Sequence, residues 1–280
     1  MIKKTLFSLL LLLFVSLSLS EALDVKSSEQ LDTAFKRSLV TFALARGLNG
    51  LVSVVQGTEI ALTPAGVGVN FAAGEVLDPV NDMAERFSWV MLMSSVSLGI
   101  QEMMLYLGKT ALFKLLFALT ALLFLLLYWK PELRFSGFYE WSFKSVLILG
   151  ILRFGVPLLV MMNTAVYDAV LEERYTQSSQ AISHTSDEVK EMISEVQSDE
   201  KRGDVSLLDS FNIQKRYEAY KTKVEATFSD IIDKFNAAME SMIALITIFI
   251  INSVLIPLAA LWVFVYGIGY ILRSDFLLAD

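Results

Sequence analysis

Three carboxylates, Asp78, Asp82 and Glu85, recur at i, i+4 and i+7, with Glu75 upstream and Arg86 alongside. On a helix opening near Pro79 this spacing puts all three on one face, where their oxygens could hold a divalent cation. The spacing fits no EF-hand loop. The simpler account is electrostatic: Asp78 caps the helix, while Asp82 and Glu85 favour the positive end of its dipole.

A second set lies inside apolar runs: Glu102, Arg153, Asn252 and Ser253. Polar groups at membrane depth are costly unless partnered, so each marks either helix-to-helix glue or a polar path. Arg153 falls some eight residues into its run, about 12 Å along a helix and therefore near the expected midplane. Pro257 lacks an N–H and frees a carbonyl one turn back, which could accept from Arg153. Glu102 would be the chemical partner of Arg153 if its own segment crosses the bilayer.

Most other chemistry is excluded by composition. Cysteine is absent and His184 is the lone histidine, which removes disulfides, thiolate metal sites and multi-histidine centres. There is no GxxxxGK[ST], HExxH or GxSxG motif, and Gly66-Val67-Gly68 lacks the third glycine of a dinucleotide loop. A net charge of -7 with no basic face argues against nucleic acid. The chain reads as a non-enzyme that needs no cofactor.

The elements that must position these groups belong to a membrane protein. Of 280 residues, 55% are hydrophobic, and the mean hydropathy is +0.56, above what a soluble globule carries. Residues 1–22 read as a cleaved signal peptide, with Lys3 and Lys4 ahead of an apolar core and Ser20-Glu21-Ala22 as the peptidase site. An extracytoplasmic region over 23–108 follows. It comprises an amphipathic helix to Gln56, a β-hairpin over 57–74 with its turn at Pro64-Ala65-Gly66, and a membrane-associated helix over 89–108. In that last helix Ser94, Ser95, Ser97, Gln101 and Glu102 share one half of the wheel, and Trp89, Leu92, Val96, Ile100, Met103 and Leu107 the other. Such asymmetry suits an interfacial helix.

Three spans are expected at 110–129, 145–167 and 242–272, with a fourth at 89–108 as the alternative. The loop 130–144 carries Lys130, Arg134 and Lys144, and Arg273 opens the tail 273–280. Short basic loops stay in the cytoplasm, which places the remaining segments outside a bacterial inner membrane. Residues 168–240 predict an antiparallel helical hairpin. One arm keeps an apolar seam at Ile182, Val189, Ile193 and Val196, the other at Phe228, Ile231, Phe235 and Met239. Without a proline at either junction, each arm should continue its neighbouring span.

The fold class is thus mainly α: a multi-pass helical membrane protein with a helical hairpin continuous with its last two spans and a small α+β amino-terminal region. The expected function is a non-catalytic envelope scaffold or assembly subunit that binds a protein partner through the hairpin. Membrane lipid surrounds the spans, and self-association is open to an isolated hairpin. The alternative is a channel or transporter component with a polar path near Arg153 and Asn252.

Overall fold

The computed structural model describes residues 2–61, 73–130, 132, 137–203 and 213–273. Every regular element among these residues is helical. The order is α1 (Ile2–Leu19), α2 (Ala22–Ala61), α3 (Ala73–Lys109), α4 (Ala111–Trp129), α5 (Phe138–Val166), a π turn (Tyr167–Leu171), α6 (Glu172–Gly203), α7 (Ile213–Ile250), a second π turn (Ile251–Leu255) and α8 (Ile256–Arg273). Six helical stretches are long and apolar enough to cross a bilayer, as a helical membrane protein requires. That exceeds the three or four read from the sequence.

The chain divides into two compact units. The first takes residues from Met1–Arg37, Ser94–Ala169 and Ile251–Asp280. Here α1, α4 and α5 share one core of Leu11, Val15, Phe117, Ala121, Phe124 and Val146. The ring of Phe7 meets Phe124 edge-on at 6.1 Å, and Phe14 meets Phe154 at 5.4 Å. Trp129 Nε1 donates to Ser8 Oγ at 3.0 Å. The segment expected to be a removable leader is therefore packed as an integral helix of this unit.

Helix α8 closes on α5 at Gly155, where a Cβ would stand 2.8 Å from the ring of Phe264. Absence of a side chain there lets the two helices approach, as small residues do in membrane bundles. A second cluster joins Leu31 of α2, Leu98 and Leu105 of α3, and Val156 and Val160 of α5. The outer surface is as apolar as the interior: Leu6, Leu13, Leu112, Leu119, Leu258 and Val265 are all exposed. A helix set that is greasy on both sides belongs in lipid.

The second unit takes Ser38–Met93 and Val170–Ile250. It combines the later part of α2, the earlier part of α3, and α6 with α7. Each contributes one apolar stripe, including Leu48 and Val52, Phe87 and Met91, Ile182 and Val189, and Ile231 and Phe235, all buried. Each helix thus buries one face against the others. Thr41 Oγ1 and Tyr175 Oη, 3.2 Å apart, tie α2 to α6. The antiparallel pair expected over 168–240 is present as α6 and α7, but it is one half of a four-segment unit rather than a bare hairpin.

Several expectations need correction. Helix α2 continues through Ala61, so Glu59, Ile60 and Ala61, expected to begin the β-hairpin, are helical. At its other end Ala73 and Gly74 open α3, and the rest of that hairpin, residues 62–72, lies outside the described residues. Helix α3 begins at Ala73 rather than near Pro79, which sits inside it. Seven residues in, it lies beyond the first turn and removes the N–H that would serve the carbonyl four residues back. The continuity expected between spans and hairpin arms holds, but each join passes through a π turn.

Candidate functional site

Arg153 lies on α5 with 1% of its surface exposed, the largest of the fully buried side chains. Its acceptor is neither Glu102 nor a carbonyl near Pro257. Nη2 donates to Asp24 Oδ2 at 2.9 Å, and Nη1 stands 2.8 Å from Asp24 Oδ1. Nε donates to Ser18 Oγ at 3.2 Å, and Nη2 also to the Ser18 carbonyl at 3.0 Å. Lys114 Nζ approaches the same Asp24 Oδ2 at 2.8 Å. Two cations and one carboxylate thus meet where the last turn of α1, the first turn of α2 and the first turn of α4 converge on α5.

This geometry places Arg153 level with the ends of α1 and α4, not with their middles. Ser18 accepts from Nε and Nη2 of the planar guanidinium, while Nη1 and Asp24 Oδ1, though close, make no hydrogen bond. A buried charge set of this kind resists loss of any member, because the partner left behind is stranded. Its chemistry is that of a lock between four helices.

Glu102 is exposed on α3. Much of the rest of that helix is turned the other way from a water-facing amphipathic helix, although Leu98 and Leu105 are buried too. Ser94, Ser95 and Gln101 are buried, whereas Trp89, Val96, Ile100, Met103 and Leu107 are between 48% and 71% exposed. Polar-in and apolar-out is the signature of a helix against lipid or another apolar surface.

Asn252 and Ser253 lie in the second π turn, both buried. Pro257 explains their backbones. Its missing N–H would serve the carbonyl of Ser253 in α spacing and that of Asn252 in π spacing. Ser97 Oγ donates to the Ser253 carbonyl at 2.5 Å, and Asn163 Nδ2 to the Asn252 carbonyl at 2.8 Å. Side chains from α3 and α5 thus reach both carbonyls, whichever of the two the proline deprives of its helical donor. Asn163 was not singled out from the sequence; one amide in an apolar run was the available signal.

Asp78, Asp82 and Glu85 are exposed on α3. Among the described residues no group of three or more acidic, histidine or cysteine side chains could hold a metal. In the second unit, Lys234 Nζ lies 2.8 Å from Glu188 Oε2 on the facing arm, with His184 Nδ1 at 3.2 Å. The hydrogen bond from Lys234 holds the Glu188 carboxyl below its ordinary range. It is a cross-arm contact between two half-buried side chains.

One cavity stands out in the first unit, about 330 Å³ in volume, walled by α2, α3, α5 and the second π turn. Gln30, Gln101, Asn163 and Asn252 line it together with Glu29 and Asp168. Arg37, also on its wall, lies with its guanidinium carbon 3.5 Å from the centre of the Tyr167 ring. The chain matches no known protein family, no curated protein and no solved structure.

Proposed function

We propose that this protein is a non-catalytic integral inner-membrane protein that crosses the bilayer four times, through α1, α4, α5 and α8. It presents the α6–α7 pair as an envelope scaffold or assembly subunit for a protein partner. The observation that carries the reading is the incorporation of α1 into the core beside α4 and α5. With α1 as a span, Lys3, Lys4, Lys130, Lys144 and Arg273 all fall at the same side of the membrane, which the positive-inside rule makes cytoplasmic. The connections from α1 to α4 and from α5 to α8 then lie on the extracytoplasmic side. The α1 segment acts as a retained signal anchor rather than a leader removed after Ala22.

In this reading the 89–108 stretch is not a span. The residues of α2 that pack beside it expose Lys26, Glu29, Asp32 and Lys36, which would be costly in hydrocarbon. Its outward apolar side lies at the membrane surface or against a second copy.

A photo-cross-linking residue placed at Glu191 or Ser194, both exposed on α6, tests the scaffold role in intact cells. A discrete protein adduct from these positions, and none from lipid-facing Leu116, is the expected result. The cavity beside Asn252 favours the second reading, a transport component. Cation flux in proteoliposomes that Arg153→Ala changes while the protein stays assembled, with no adduct at α6, would replace the scaffold by that reading.

A further inference from the structure

Helix α3 turns a row of apolar side chains away from the first unit. Val96, Ile100, Met103 and Leu107 recur at steps of four, three and four, and Met104 and Tyr106 flank them. All six are between 45% and 71% exposed. The opposite side of the same helix is occupied, with Leu98 and Leu105 buried in a cluster with Leu31, Val156 and Val160. A contiguous exposed apolar patch of this kind marks a surface that something covers.

Two observations argue that lipid does not cover it. Asp24 accepts from Arg153 at 2.9 Å, and the guanidinium carbon of Arg37 lies 3.5 Å from the centre of the Tyr167 ring, so α2 climbs alongside α5 for about 20 Å. Helix α3 runs back beside α2: Lys109 donates to Ser28, and a Cβ on Gly99 would stand 3.9 Å from the ring of Phe35. The row therefore stands upright along the bundle and does not lie flat on a membrane. Level with it, α2 exposes Glu29, Asp32 and Lys36, charges that are costly in hydrocarbon. Under the four-span reading, on which this inference rests, the row faces water outside the bilayer.

We propose that a second copy of this chain covers the row, the two α3 helices pairing in parallel about a two-fold axis along the membrane normal. Copies in one membrane share one orientation, so an upright row on one molecule meets the same row of the other in register. Steps of four and three are those of a two-stranded helical seam, with Val96 and Met103 in one core position and Ile100 and Leu107 in the other. The flanking positions Ser97, Gly99, Met104 and Tyr106 carry no charge, so two identical rows set no like charges against each other. At about 200 Å² for a large side chain, exposure of this extent amounts to several hundred Å², approaching the ~800 Å² that each partner gives to a stable interface.

Because the chain has no native thiol, a single Met103→Cys in the full-length protein reports the pairing. Oxidation in native membranes should give a disulfide-linked dimer, since facing core positions bring their Cβ atoms within bonding reach. Lys36→Cys, exposed on α2, should give none. Adding Ile100→Glu to Met103→Cys should lower the cross-linked fraction about tenfold, by setting two carboxylates against each other in the seam. No dimer with Met103→Cys, as much with Lys36→Cys, or an undiminished yield with Ile100→Glu overturns the proposal, as does a photo-cross-linker at Met103 that captures lipid or another protein instead of a copy. An impermeant maleimide separates this from the reading beneath it. Lys36→Cys labelled in whole cells with no dimer from Met103→Cys sinks only the pairing, whereas an unlabelled Lys36→Cys sinks the membrane placement as well.

Discussion

Arg153 binds Ser18 twice, through Nε to the hydroxyl and through Nη2 to the carbonyl. Ser18 belongs to the segment that a signal peptidase would remove by cutting after Ala22. Cleavage would withdraw two of the acceptors around a fully buried cation. The mature protein should therefore retain α1. Intact mass spectrometry of the protein purified from membranes checks this: a species beginning at Leu23 would refute it. Single cysteines at Ser136 and Ser206 extend the test, because the chain has no other thiol. Ser206→Cys should react with an impermeant maleimide in whole cells, and Ser136→Cys should not.

Removing one member of the Asp24–Arg153–Lys114 set should be severe. Arg153→Ala strands Asp24 with Lys114 alone, and Asp24→Asn leaves two cations together; each should cost about 3–5 kcal/mol. Arg153→Lys should recover little, since an ammonium cannot span both carboxylate oxygens and Ser18. Denaturant unfolding in mixed micelles measures all three. Arg153→Met combined with Asp24→Leu should be milder than either charge-stranding single change.

The carbonyls around Pro257 allow a cycle of substitutions. Ser97→Ala should cost about 1 kcal/mol in the wild type, because the Ser253 carbonyl loses its donor. In a Pro257→Ala background the restored N–H can serve a carbonyl of this turn, and the same change should cost much less. Equal costs in both backgrounds would show that the proline is not what orphans that acceptor.

The Glu188–Lys234 contact sets a pH response in the second unit. The folded carboxyl titrates below its ordinary value of 4.5, chiefly because Lys234 donates to it. Its contribution is therefore fully present above that value and is lost as pH falls through the lower folded one. Hydrogen exchange of α6 and α7 should quicken below about pH 4.5 in the wild type. Lys234→Met should flatten this acid response.

Helical character, the apolar runs and the α6–α7 seam were legible because burial imposes a period on the sequence. Ile182, Val189 and Ile193 were read as one stripe and are buried together. Arg153 was legible as a group in need of an acceptor. Its partner was not, because Asp24 sits in an ordinary-looking polar stretch and proximity across a bundle leaves no local mark. The role of α1 was hidden for a different reason: a leader and a short anchor share the same basic start and apolar core. Of the polar half of 89–108, Ser94, Ser95 and Gln101 are buried while Glu102 is exposed; amphipathicity alone does not say whether water or protein covers a face. Gln101 and Asn163 carried no signal beyond being amides among apolar neighbours.

The second π turn has a consequence for the helix that follows. A π turn accommodates one residue more than the α-helix it interrupts, so everything beyond it is rotated by about 100° relative to an unbroken helix. Phe264, on α8, reaches the bare backbone of Gly155 in this rotated phase. Deleting a single residue between Ile251 and Leu255 would keep the chain helical and nearly as long, yet swing the phenyl ring off that glycine and present a different side of α8 to the bundle. The spare residue works as an indexing tooth, setting which face of the last helix the bundle engages.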